Sequence, residues 1–253
     1  RHRGTLTLLC TLTLKRTEGV DAVDHATMHP GLWMAFGDIN GHDFWRNKAI
    51  VRHERFIETP TAAGDRALFT ARNRFEAADG TTVCFEVSTI TWTREPEGYR
   101  LIWASTFTAD SGDVVFGDQE EMGLGARLAT PLTVKNGGHI RNDSGEHDEK
   151  GTWGKTADWI DYSGTNDGSQ MGIMMMPDPA NFRKSWFHNR DYGLTVANPF
   201  GRNAFTREAK SQVRVRHGSQ LTLRFGVLLH QTRAGHPIDT AQVYSRFLKS
   251  IAR

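Results

Sequence analysis

The sequence predicts an all-β fold, an antiparallel β-sandwich closed by a short C-terminal helix, and three observations predict it. Many short segments alternate apolar and polar residues with a period of two, Gly, Asn and Asp separate them, and helical periodicity is confined to one stretch near the C-terminus. Strands that follow one another without intervening helices pair antiparallel, and two packed sheets are the economical way to bury their apolar faces. The 253 residues suit one large domain spanning 1–253, because undivided sandwiches commonly reach about 200 to 250 residues. With 38% hydrophobic residues the chain has material for a core, which excludes a disordered class.

Arg66 to Phe75 and Thr81 to Arg94 form the clearest hairpin, joined through Ala77-Ala78-Asp79-Gly80, whose Asp-Gly step tolerates the positive φ angles of a tight turn. Within the second segment Val83, Phe85 and Val87 share one face, and Cys84, Glu86, Ser88 and Trp92 share the other. Tyr99 to Thr108 follows the turn Glu95-Pro96-Glu97-Gly98 and makes a third antiparallel strand. Further strands are expected at Val114 to Phe116, Thr152 to Tyr162, Gln170 to Met176, Tyr192 to Ala197, Gln212 to His217 and Gln220 to His230. Asp239 to Ala252 is the helix: Asp239 caps it, Gln242 holds the reciprocal capping position, and Val243, Phe247 and Ile251 share a face.

Charge and cysteine content exclude several classes. The 31 basic residues against 29 acidic ones leave a formal charge of +2 with no basic stripe, so no nucleic-acid partner is expected. Cys10 and Cys84 are the only cysteines, which rules out a disulfide framework and allows a single bridge. No run approaches the roughly 18 to 20 apolar residues of a membrane-spanning helix. Arg1-His2-Arg3 ahead of Leu6 to Leu14 has the outline of a signal peptide, but threonines interrupt it and no small-residue cleavage site follows, so the compartment stays open between cytoplasmic and exported. The chain starts on Arg1, which suggests further residues upstream. There is no phosphate-cradling loop, nucleophile elbow or dinucleotide fingerprint, and no cofactor is expected.

Three segments could carry chemistry. The first, Asp24 to Trp45, holds His25, His29, His42, Asp38 and Asp43 among glycines and the indoles of Trp33 and Trp45. Imidazoles move protons near neutral pH, carboxylates orient them, and aromatic faces suit the apolar faces of sugars. The second, Gly117 to Arg127, offers Glu120, Glu121 and Arg127 in a glycine-rich frame; the third carries His188, Arg190 and Asp191 and runs into Asn198-Pro199-Phe200-Gly201. Each group would serve equally well as turn braces and ion pairs. Met174-Met175-Met176 contains soft copper ligands, but alternation sends only Met174 and Met176 to one face, and strand packing is the better reading.

These motifs also carry a resemblance. His29-Pro30-Gly31-Leu32-Trp33 through Gly37-Asp38-Ile39-Asn40-Gly41-His42-Asp43-Phe44-Trp45, then Asp118 to Arg127, then Arg190-Asp191-Tyr192-Gly193-Leu194 with Ala197 to Gly201, resemble the bacterial PmoA family, whose members bear the label "methane oxygenase PmoA". Residues 1–16 fit that pattern poorly. The label implies no activity here, because the methane monooxygenase subunit of that name is an integral membrane protein. The resemblance implies a supersandwich similar to aldose mutarotases and a setting in carbohydrate metabolism. On this reading the partner is a small-molecule saccharide. His29, Glu121 and His188 are the candidate catalytic groups, and Trp33, Asp38, Asp43, Arg127, Arg190, Asp191 and Asn198 the candidate substrate contacts. A metal-dependent oxygenase or hydrolase using His25, His29, His42 and His188, and a non-catalytic binding module, are the alternatives.

Overall fold

Strand-forming alternation becomes two packed antiparallel sheets in the computed structural model, which describes Leu14 and residues 29–252. The signal-peptide outline before Leu14, the Cys10 bridge, Asp24 and His25 lie outside the described residues. The strands are β1 Gly31–Phe36, β2 Ile50–Ala63, β3 Arg66–Glu76, β4 Thr82–Glu95, β5 Gly98–Thr108, β6 Val114–Phe116, β7 Met122–Arg127, β8 His139–Asn142, β9 Ile160–Asn166, β10 Ser169–Pro177, β11 Trp186–Phe187, β12 Leu194–Asn198, β13 Val213–Val215 and β14 Gln220–Arg233. The larger sheet runs β2-β3-β4-β5-β14-β10-β9-β8, the smaller β1-β7-β12-β11, and β13 pairs with β6. Helical turns α1 (Asp148–Thr152) and α2 (Arg202–Thr206) interrupt the strands, and α3 (Thr240–Ile251) is the C-terminal helix.

One apolar core lies between the sheets and draws Phe36, Leu124 and Ala197 from the smaller and Phe75, Phe107 and Phe225 from the larger. Phe36 meets Phe107 edge-on at a ring separation of 5.2 Å, within the range aromatic pairs prefer. The β4 face that carries Cys84, Ser88 and Trp92 points into this interior. Glu86 goes with it, buried and accepting from Ser105 Oγ and Asn73 Nδ2. Burial raises the Glu86 carboxyl and the two donors oppose that shift. Burial likewise pushes the Cys84 thiol up to about 12.

Three expectations change. Thr152 to Tyr162 is not one strand: Thr152 ends α1, Gly154 takes φ +69° to turn the chain, and the strand starts only at Ile160. Gly31 to Phe36 and Met122 to Arg127, where the sequence predicts no strand, form β1 and β7, and Phe36 reaches the core. The 14-residue edge strand β2 is also additional, and its exposed residues have no buried face to produce alternation.

The capping of α3 follows the sequence in part. Asp239 Oδ1 accepts the Gln242 amide at 3.0 Å, whereas the Gln242 side chain accepts from Arg246 instead of returning to the cap. Met174 and Met176 pack under α3 with Leu228 and Phe247, and Met175 enters the main core, as alternation required. A Cβ on Gly226 would stand 2.6 Å from the Phe247 ring, so a bare glycine lets the helix dock. Phe247→Ala is expected to destabilise the protein by about 3 to 5 kcal/mol in urea titrations, the usual effect of emptying a buried aromatic site.

Candidate functional site

Register across the smaller sheet decides which side chains meet, because directly opposed residues of antiparallel strands point to the same face. Trp33 pairs with Gly125, Gly125 with Val196, and Val196 exchanges backbone hydrogen bonds with His188. The next row is Gly31, Arg127, Leu194 and Arg190. With strands about 4.8 Å apart, Trp33 and His188 sit roughly 14 Å from each other at the backbone, a span their side chains narrow from both ends. Leu32, Met34 and Phe36 point the other way, toward the core.

One end of the first row is aromatic. The His29 ring lies 5.0 Å from that of Trp33 and 4.7 Å from that of Trp45, and the two indoles meet edge-on at 5.7 Å. Gly125 makes this possible, since a Cβ there would come within 2.6 Å of the Trp33 ring. His29 itself takes φ +55°, a left-handed conformation seldom adopted outside glycine. Asp43 braces the loop that brings Trp45 in: Oδ1 accepts the Trp45 and Arg46 amides, and Oδ2 pairs with the Arg46 guanidinium at 3.2 Å. Arg46 also pairs with Glu121 at 3.0 Å.

The other end is charged. His188 Nε2 accepts from Arg190 Nε at 3.1 Å and stands 3.4 Å from Glu120 Oε2. Arg190 spans Glu120 at 3.3 Å and Glu149 at 2.8 Å and lies over the Trp153 ring. Asp191 is tied to Glu149 through reciprocal amide-to-carboxylate hydrogen bonds of 2.9 Å. Arg127 lies between the two ends: its positive charge bears on both His29 and His188, and its guanidinium approaches the Tyr192 ring.

The sequence-derived residues therefore divide. Trp33, His29, Arg127, His188 and Arg190 share one face, with Asp191 behind it. Asp38 closes its own turn, accepting the Gly41 amide at 2.8 Å, and Asp43 braces the Trp45 loop. Asn198 is fully buried and committed to backbone: Nδ2 donates to the Gln119 and Glu120 carbonyls, and Oδ1 accepts the Phe200 and Gly201 amides. It positions Glu120. The carboxylate beside His188 is thus Glu120, while its neighbour Glu121 reaches Arg46. Glu149 lies outside the three segments, and Asp118, within the second, is not among the candidate site residues. Asp118 accepts the Asn203, Ala204 and Ser211 amides and so secures α2, whose Phe205 packs on Trp153 and His188.

Electrostatics keep both imidazoles neutral. Burial, reinforced by Arg190 and Arg127 and opposed by the Glu120 backbone and the Glu149 carboxylate, lowers His188 to about 4. Burial also lowers His29, a hydrogen bond to the Trp45 backbone opposes the shift, and Arg127 and Arg46 add to it. Glu120 moves the other way, raised chiefly by burial and secondarily by Glu121, against Arg190 and Arg207. The imidazole with weakened and the carboxyl with strengthened proton affinity stand 3.4 Å apart, and opposed shifts of this kind mark a candidate site. Among the described residues no group of three or more His, Cys, Asp or Glu could hold a metal ion, and His42 bears on Asp79 rather than on this face.

Together these features define an all-β sandwich whose smaller sheet carries an aromatic group and a histidine–carboxylate pair on one face. The chain belongs to DUF6807, a family of unknown function, which matches residues 13–244. The expected PmoA membership finds no support in that match; what stands is a family without an assigned activity. No curated protein matches. Among solved structures the chain is similar to one described as "Putative kojibiose phosphorylase from human microbiome", at 11% identity and a TM-score of 0.43. That likeness covers 88% of this chain and 25% of the other, so the chain spans a quarter of that protein's length. Among the described residues no helix is long and apolar enough to cross a membrane.

The lowered His188 has a measurable consequence. The unfolded imidazole takes its proton near 6.5 and the folded one only near 4, so between these values the unfolded state binds more protons and stability falls as the solution is acidified. His188→Gln is expected to remove about 2 kcal/mol of the stability lost between pH 6.5 and 5, read from urea midpoints at the two values. An identical acid loss in the variant would mean that His188 titrates normally. Gly125→Ala is expected to displace Trp33 and to destabilise by about 1 to 3 kcal/mol, with altered near-ultraviolet circular dichroism.

Proposed function

We propose that this protein binds a saccharide at the part-exposed Trp33, Glu120 and Arg190 beside the smaller sheet and performs acid–base chemistry on it, with His188 and Glu120 exchanging the proton. The observation that carries the reading is the single cross-strand row that sets the Trp33 indole and the His188–Glu120 pair on one face, with Gly125 and buried Val196 between them. Part-exposed Trp33 supplies the surface on which an apolar sugar face stacks, and buried Trp45 backs it. Arg190 and Arg127 orient hydroxyls, and neutral His29 offers a hydrogen bond without a charge. When Arg190 turns its Nε–H from His188 Nε2 to a substrate hydroxyl, that nitrogen is free to accept the hydroxyl proton, and Glu120, its proton affinity raised by burial, supplies one in return.

A panel of mono- and disaccharides assayed by calorimetry for binding and by mass spectrometry for product tests the reading. With a responsive sugar, Glu120→Gln and His188→Gln are expected to reduce turnover by about 100-fold or more while leaving binding within a few-fold, the usual share of a general acid or base. Trp33→Ala is expected to weaken binding by about tenfold. Turnover unchanged in both proton-pair variants removes the catalytic assignment. Binding by the wild-type protein without product assigns a sugar-binding module instead.

A further inference from the structure

A hollow lies on the side of the larger sheet away from the smaller one, between the outer face of β3 to β5 and the C-terminal half of α3, and it is basic. Its volume is about 600 Å³, and Arg66, Arg100, Arg246 and Lys249 line it together with the hydroxyls of Thr91 and Thr93. The carboxylates that pair with these cations number two. Glu95 takes Arg100 at 3.0 Å and Arg246 at 2.9 Å, and Glu97 takes Arg246 at 2.5 Å. Arg66 and Lys249 have no ion pair among the described residues. Four cations against two carboxylates leave a surplus of two positive charges around one cavity.

Arg100 makes the imbalance more than a surface accident. It is 8% exposed, and its Nε is buried with no hydrogen-bond partner among the described residues. A buried donor left unmatched is costly, and a buried guanidinium that shares its one carboxylate with a second arginine is only half neutralised. Burial lowers the proton affinity of Arg100, Glu95 opposes this, and Arg246 adds to the lowering. A group that brings two negative charges and several acceptor oxygens would satisfy the surplus, the orphaned Nε–H and the threonine hydroxyls together.

We propose that this hollow is an anion site for a phosphate monoester, separate from the face of the smaller sheet. Arg100 and Arg246 hold the phosphoryl oxygens from the buried side, and Arg66 and Lys249 close over it from solvent. A carboxylate ligand would bring one charge where two are unbalanced, so the dianionic phosphoryl group is the better match.

Calorimetric titration of the full chain with inorganic phosphate, at about 0.15 M salt where isolated surface charges are screened beyond about 8 Å, tests the proposal. The expected result is one saturable site with a Kd below about 1 mM. The double variant Arg66→Ala/Lys249→Ala, at two exposed positions that do not support the core, is expected to weaken it by about tenfold or more. Thr106→Ala, on an exposed hydroxyl outside the hollow, is expected to leave it unchanged. Absence of saturable binding, or equal affinity in the double variant, overturns the site. Retention on phosphatidic-acid vesicles is the second arm. Retention that free phosphate abolishes supports a site for the phosphoryl group itself, whereas retention that free phosphate leaves intact overturns the soluble monoester in favour of a lipid headgroup.

Discussion

The pairing of β7 with both of its neighbours governs where each polar group of the candidate site stands. Gly125 faces Trp33 on one side and Val196 on the other, and His188 completes the row. A slip of one residue in either pairing would turn Arg127 or His188 into the core and bring Leu124 to the surface, so the buried face that packs the sandwich also enforces the geometry of the outer face. Packing and site are in this sense one constraint, imposed through the period of two.

Burial is the second determinant. His188 is nearly inaccessible yet surrounded by Arg190, Glu120 and Glu149, and the balance leaves it neutral over the physiological range. Elsewhere the protein treats buried charge differently. Asp161, beneath the outer layer, is opposed by burial but held ionised by His230 at 2.8 Å and Arg141 at 3.1 Å, so its charge is matched within the fold. The carboxylate of Asp161 is matched by two cationic partners, whereas the single carboxylate beside Arg100 is shared with Arg246; His188 Nδ1, Arg100 Nε and His230 Nδ1 each stay without a partner among the described residues. Unmatched donors and acceptors of this kind are where a ligand gains most from hydrogen bonding.

Much of the architecture was legible in the chain, and particular residues show why. The hairpin of β3 and β4 has alternation on both arms and an Asp-Gly turn, and α3 has a capping aspartate and a three-residue apolar face, so local rules sufficed. The three methionines of β10 distribute as alternation demands. By contrast β2 is exposed along its whole length and has no buried face to leave a mark, and Thr152 to Tyr162 reads as a strand although Gly154 turns it.

The sequence by itself determined the all-β class, the C-terminal helix and the three polar segments, because periodicity, caps and turn residues act over a few positions. Only the tertiary structure decided that Glu120 instead of Glu121 reaches His188, that Asn198 is a brace, and that Glu149 and Asp118 belong to the same neighbourhood. The physical reason is that adjacent carboxylates have the same composition and opposite directions. Direction is set by strand register and by backbone hydrogen bonds between residues some 40 to 86 positions apart, which no local pattern encodes.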